Sequence, residues 1–203
     1  MKIICIGLNY RKHAEEMGKP FPEEPMFFLK PDSAIIKNNK PFFLPDFSDE
    51  IHYEAEIVLR ICKLGKSVDR RFAGRYYDAV TLGIDITARD LQRRQSERGH
   101  PWEICKSFDG SAPLGKFIPL SDLGNVHDLP FRLERNGEVV QQSTTADMIF
   151  GIDDIISYLS RFFTLKTGDL IFTGTPSGVG PLGRNDHLRG FIADTPVIDF
   201  HIR

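Results

Sequence analysis

Cysteine is scarce: Cys5, Cys62 and Cys105 are three in 203 residues, widely spaced and odd in number. That excludes a disulfide framework and a cysteine-rich zinc site, and it points to a reducing compartment. Excess charge is missing too, with 26 Lys and Arg against 28 Asp and Glu. No general attraction to nucleic acid or to an anionic membrane is therefore expected. No apolar run reaches the roughly 20 residues that cross a bilayer. Met1 to Leu8 is largely apolar but too short for a signal peptide, and Arg11, Lys12 and Glu15 follow at once. The expected location is cytoplasmic. Internal repeats and low-complexity segments are also absent, and at 41% hydrophobic and 27% charged the composition predicts one domain over residues 1–203.

The most informative stretch is residues 51 to 61. Ile51, Tyr53, Ala55, Ile57, Leu59 and Ile61 alternate as on the apolar face of a strand. Glu54 and Glu56 then share the other face, about 7 Å apart. Taken alone, Glu-x-Glu is most often a solvated strand face. The sharper reading is two arms of a divalent-cation site, which needs a third hard oxygen ligand. Asp85 supplies a candidate, because Ala79 to Ile86 is mostly apolar and a carboxylate there is costly unless paired or bound to a metal. Asp85 is also free of helix-capping duty if Thr87, with Asp90 three residues on, caps the next helix. Three carboxylates without Cys or His ligands favour Mg²⁺ or Mn²⁺ over zinc.

Further elements follow in order. Lys2 to Ile6 reads as a strand, and Asn9 as the cap of a short helix ending near Gly18. On that helix His13 and Glu16 are three apart and share a face. A His oriented by a carboxylate is the usual device for activating water, although a solvated face is the commoner fate of such a turn. Lys19 to Pro25 reads as an irregular lid segment beside that pair. Strands are expected at Met26–Pro31 and Phe42–Pro45, and helices at about 68–77, 88–98 and 153–163. Most arginines of the 88–98 helix read as a solvated face, while Arg89 and Gln92 can point back toward Asp85. Lys106 is either a snorkelling strand-end residue or a cation aimed into a site. Asn136-Gly137 predicts a hairpin between 131 and 142. Thr173 to Gly180 is Gly-rich but lacks the Gly-Lys-Ser/Thr of a nucleotide P-loop; its backbone N–H groups can cradle a carboxylate.

In this order the pieces resemble a known family. Gly7-Leu8-Asn9-Tyr10 with His13 and Glu16, Glu54-x-Glu56, Gly83-Ile-Asp85-Ile-Thr-Ala-Arg-Asp90, Lys106-Ser-Phe-Asp109 and Thr173-Gly-Thr-Pro-Ser-Gly-Val-Gly180 are similar to the fumarylacetoacetate hydrolase family, closest to its short acylpyruvase and oxaloacetate decarboxylase branch. The likeness runs from Ile3 to about Phe200. It implies an α+β, mostly β fold, a mixed β-sandwich roll with few short helices and an N-terminal lid, in a homodimer. It also implies Glu54, Glu56 and Asp85 as ligands of Mg²⁺ or Mn²⁺ and His13 and Glu16 as a water-activating pair. Lys106 matches a stabiliser of negative charge. Gln92, Arg89, Gly174 and Thr175 match substrate contacts.

The implied reaction is hydrolysis of the C–C bond of acylpyruvates, decarboxylation of oxaloacetate, or both. The alternatives are isomerisation, tautomerisation or hydration of 2-hydroxy-dienoate acids, and binding of a 2-oxo acid without turnover. Two departures bear on substrate: Leu8 stands where many relatives have Arg, and no acid precedes His13 in Cys5-Ile-Gly-Leu8.

Overall fold

The apolar runs and the Asn-Gly hairpin build a mostly β, α+β fold, and the computed structural model describes residues 1–203. In chain order the strands are β1 (Ile3–Gly7), β2 (Met26–Lys30), β3 (Ile35–Ile36), β4 (Ile51–Tyr53), β5 (Ala55–Ile61), β6 (Tyr77–Ile84), β7 (Thr87–Ala88), β8 (Ala112–Pro113), β9 (Ile118–Pro119), β10 (Pro130–Arg135), β11 (Glu138–Thr144), β12 (Leu170–Phe172), β13 (Gly180–Pro181), β14 (His187–Ile192) and β15 (Thr195–His201). The α-helices are α1 (Arg11–Glu16), α2 (Arg89–Arg98), α3 (Glu103–Lys106) and α4 (Ile152–Phe162). None is long and apolar enough to cross a membrane.

Two sheets form the body. The larger has the order β2-β1-β12-β5-β6-β9, with β1 and β12 parallel; the other is the antiparallel β11-β10-β14-β15. Between them lies the main core, where Leu82 of β6 packs so closely on β14 that a Cβ at Gly190 would collide with Leu82 and Ile198. On the opposite face of the larger sheet a smaller cluster joins Ile3, Cys5, Val58, Leu170 and Phe172. Both faces of β1 and β12 are thus covered, which is why they read as unbroken apolar runs without alternation. Helix α4 buries Ile152, Ile155, Ile156 and Leu159, and Asp153 and Asp154 in its first turn favour the helix dipole.

The Asn-Gly hairpin forms as expected, with Asn136 and Gly137 at φ 55° and 86°, the left-handed pair a tight turn needs. Several local expectations change. The 51–61 strand is broken at Glu54 into β4 and β5, because β4 leaves the larger sheet to pair with β7 and β13. The 68–77 helix is a 3₁₀ stretch over Arg70–Arg75; a segment this short, with Gly74 inside it, settles for i→i+3 bonds. Only Phe42 of the 42–45 segment makes a bridge, to Ile202, and Pro41 and Pro45 withhold the N–H groups a strand would need. Thr87 does not cap α2 and Asn9 does not cap α1; their caps are Ala88 and Tyr10, neither with a side-chain bond. Both polar side chains are engaged elsewhere.

Candidate active site

Register brings the carboxylates together. Glu56 of β5 lies opposite Gly83 of β6, and the ladder extends one step to the Asp85 N–H, which donates to Glu54 O at 2.8 Å. Cross-strand partners share a face, so Glu54, Glu56 and Asp85 project to the same side. Their ligand oxygens lie within 4.8 Å of one another, and all three residues are buried.

Three cations balance them unequally. The Arg89 guanidinium is 2.5 Å from Glu54 Oε1. Lys106 Nζ donates to Glu54 Oε2 at 2.8 Å, to Asp85 Oδ2 at 2.7 Å and to Thr87 Oγ1 at 2.6 Å. Lys30 Nζ lies 2.8 Å from Asp85 Oδ1 but off the hydrogen-bonding direction, which leaves that buried oxygen without a proper donor. Glu56 has no cationic partner and accepts only the Gly174 N–H, at 2.6 Å.

Protonation follows from this pattern. Burial alone would raise Glu54, but Lys106 and Arg89 outweigh it and hold its carboxyl far below the ordinary range. Burial, then repulsion by Asp85 and Glu54, pushes Glu56 well above that range. Lys106 is pulled down by burial and lifted further by Asp85 and Glu54, so it stays an ammonium. A divalent cation fits this donor set: Asp85 Oδ1 accepts no hydrogen bond, and the ion would supply the positive charge Glu56 lacks. Cation binding must then expel the Glu56 proton. Between the ordinary carboxyl value and the raised one, Mn²⁺ affinity is expected to climb with pH, by up to about tenfold per unit. Mn²⁺ titration followed by electron paramagnetic resonance at a series of pH values checks this, and a flat profile would contradict it.

These groups floor a cavity of about 410 Å³ that His13, Leu8, Gln92 and Thr175 also line. His13 is buried on α1, and its Nδ1 sits 3.3 Å from Glu16 Oε2. Glu16 in turn accepts the Gly178 N–H at 3.2 Å, tying α1 to the Gly-rich loop. Asn9 braces the same junction: its side chain donates to Thr173 O at 2.8 Å and accepts Phe150 N–H at 2.8 Å. Leu8, at φ 54°, turns the chain between β1 and α1. An apolar side chain stands there beside the cavity.

Two residues expected as substrate contacts also support the carboxylates. The Gly174 N–H is taken by Glu56, so it supports a carboxylate of the cluster. Arg89 faces Glu54, Gln92 and His52, holding that wall together. Arg89, Gln92 and Thr175 line the cavity, with the Thr175 hydroxyl donating to Ala55 O at 3.0 Å. Arg93, Arg94 and Arg98 are exposed, as a solvated helix face should be. Lys30 was not singled out from the sequence; its signal is a lysine closing the apolar strand Met26-Phe-Phe-Leu-Lys30. It is 2% exposed and donates to Ser111 O and Oγ, both at 3.0 Å.

The family model described as "Fumarylacetoacetate (FAA) hydrolase C-terminal" matches residues 2–203. The chain belongs to the fumarylacetoacetate hydrolase family. Among its relatives in that family is oxaloacetate tautomerase YcgM of Escherichia coli K12, 41% identical over 188 residues, which are 92% of this chain and 86% of that protein. Human oxaloacetate tautomerase FAHD1, mitochondrial, is 39% identical over 94% of this chain and 86% of its own. The crystal structure of fumarylpyruvate hydrolase from Pseudomonas aeruginosa in complex with Mn²⁺ and pyruvate superposes with a TM-score of 0.94 at 38% identity, covering 100% of this chain and 89% of that one. The mixed β architecture is therefore that of the fumarylacetoacetate hydrolase family.

Proposed function

We propose that this chain is a Mg²⁺- or Mn²⁺-dependent enzyme of small 2-oxo acids whose main reaction is the keto–enol interconversion of oxaloacetate. The supporting observation is that His13 and Lys106 face one cavity floored by the three carboxylates. The names of the E. coli and human relatives point the same way.

Glu54, Glu56 and Asp85 would hold the cation, which when bound polarises the 2-oxo group as a Lewis acid. His13 presents Nδ1 to Glu16, which leaves the Nε2 lone pair as the base. It takes a proton from C3; the C–H electron pair becomes the C2–C3 double bond, and the carbonyl pair moves onto the C2 oxygen. The Lys106 ammonium stabilises that oxygen, and return of the proton to oxygen gives the enol. Gln92 and Thr175 orient the substrate from the cavity wall.

A second reading is acylpyruvate hydrolysis, favoured by the His13–Glu16 pair, which can hold and deprotonate a water, and by the likeness to the Pseudomonas hydrolase. The same enolate leaves when the C–C bond breaks. A homodimer is part of the proposal, checked by sedimentation at twice the chain mass.

Rates for enol oxaloacetate, acetylpyruvate and fumarylpyruvate, each with Mg²⁺, Mn²⁺ or chelator, test the assignment. Faster enol–keto conversion that chelator abolishes is the expected result. Undiminished rates in chelator, or none above buffer, would overturn it; faster cleavage of an acylpyruvate would select the second reading.

A further inference from the structure

Ala55, between Glu54 and Glu56, sits where the β-ladder gives out. On the β6 side it faces Ile84, but β12 pairs only with Val58–Arg60 and stops short of it. Two side chains replace the missing strand. The Ala55 N–H donates to Gln141 Oε1 at 2.9 Å, and Ala55 O accepts from Thr175 Oγ1 at 3.0 Å. The ring closes through Gln141 Nε2, which donates to Thr175 Oγ1 at 2.9 Å and to Pro176 O at 3.0 Å.

Gln141 comes from the other sheet, and its placement is unusual. It pairs with Leu133 of β10, a fully buried core residue, and it is itself 2% exposed. The register slips between Leu133 and Glu134, so Val140 is extra on β11. Such a bulge re-aims a side chain, here turning an amide toward the carboxylate cluster. Every polar atom of that amide is matched: one acceptor in use, two N–H groups in use.

We infer that Gln141 is a positioning residue: it fixes the backbone between Glu54 and Glu56, and thereby the cation site, and it fixes the Thr175 wall that meets the substrate. The inference rests on the proposed function in taking the three carboxylates as cation ligands, Thr175 as a substrate contact and oxaloacetate as the substrate. Without the amide, the Ala55 N–H loses its partner and the backbone between the two glutamates keeps only the Thr175 tie on that side. Groups that orient ligands in this way typically account for about 10–100-fold in metal affinity.

The test compares wild type, Gln141→Met and Gln141→Glu by Mn²⁺ titration in the absence of substrate, by kcat and KM for oxaloacetate at saturating Mn²⁺, and by thermal unfolding. Gln141→Met is expected to weaken Mn²⁺ about 10–100-fold and to raise KM, with kcat changed less than KM because His13 and Lys106 are untouched. Gln141→Glu keeps the acceptor for Ala55 N–H and loses donors to Thr175 and Pro176. It should recover most of the Mn²⁺ affinity and keep the raised KM. A lowered melting temperature with wild-type Mn²⁺ affinity and KM would overturn the inference, since a merely structural amide gives that result. If Gln141→Met does not fold, the raised KM of Gln141→Glu supports the inference, and an unchanged KM overturns it. If wild type itself binds no Mn²⁺, the cation reading falls, and this inference with it.

Discussion

Glu56→Gln is expected to abolish cation-dependent turnover while making the cation-free protein more stable. A Lewis acid is worth several kcal/mol of barrier, so losing it costs about a thousandfold in rate. Stability moves the other way because Glu56 is the carboxyl with no cationic partner. Its folded pKa is raised by burial and by Asp85 and Glu54, so the folded chain binds a proton that the unfolded chain releases. Stability therefore falls as pH rises from the ordinary carboxyl value through the raised one. Glutamine carries no such penalty and can still accept the Gly174 N–H. Thermal unfolding in chelator across neutral pH, beside Mn²⁺ titration and turnover, checks both halves. A variant that is less stable and still binds Mn²⁺ would contradict the assignment of Glu56.

His13→Ala is expected to lower kcat for enol–keto conversion and for acylpyruvate cleavage by about 10²–10⁴, with Mn²⁺ affinity near that of wild type. His13 contacts Glu16 and the cavity but none of the three carboxylates directly. Loss of CO₂ from oxaloacetate needs no proton taken from carbon, so any decarboxylation should survive much better. Equal loss of all three activities would contradict the division of labour between His13 and the cation-holding groups. Steady-state rates on the same preparation, with pyruvate release followed separately from enol loss, make the comparison.

The three carboxylates are legible in the sequence because their signals are local. A period of two puts Glu54 and Glu56 on one face, and Asp85 is the odd polar residue at the end of an apolar strand. The hairpin is equally plain, since Asn-Gly dictates its own turn. What the sequence hides is long-range satisfaction of polar groups. Thr87 looks like a helix cap, yet its hydroxyl accepts from Lys106, 19 residues away. Asn9 looks like another, yet it binds Thr173, 164 residues on. Arg89 and Gly174 read as substrate contacts and also hold carboxylates of the cluster, a role that only the assembled sheet reveals by showing how much negative charge needs support. Lys30 and Gln141 were missed for the same reason: Lys30 closes an apolar strand, Gln141 is one polar residue among several in β11, and the partners of both come from other segments of the chain. Continuity of the 51–61 strand fails at Glu54 because its first half belongs to a different sheet.

The most direct measurement is a crystal structure grown with Mn²⁺ and pyruvate. The ion is expected among one oxygen each from Glu54, Glu56 and Asp85, with Lys106 Nζ drawn off at least one of its two carboxylates and toward the pyruvate oxygen. An ion bound elsewhere, or Lys106 still seated between Glu54 and Asp85 with no ion beside it, would contradict a cation-dependent enzyme built on these residues.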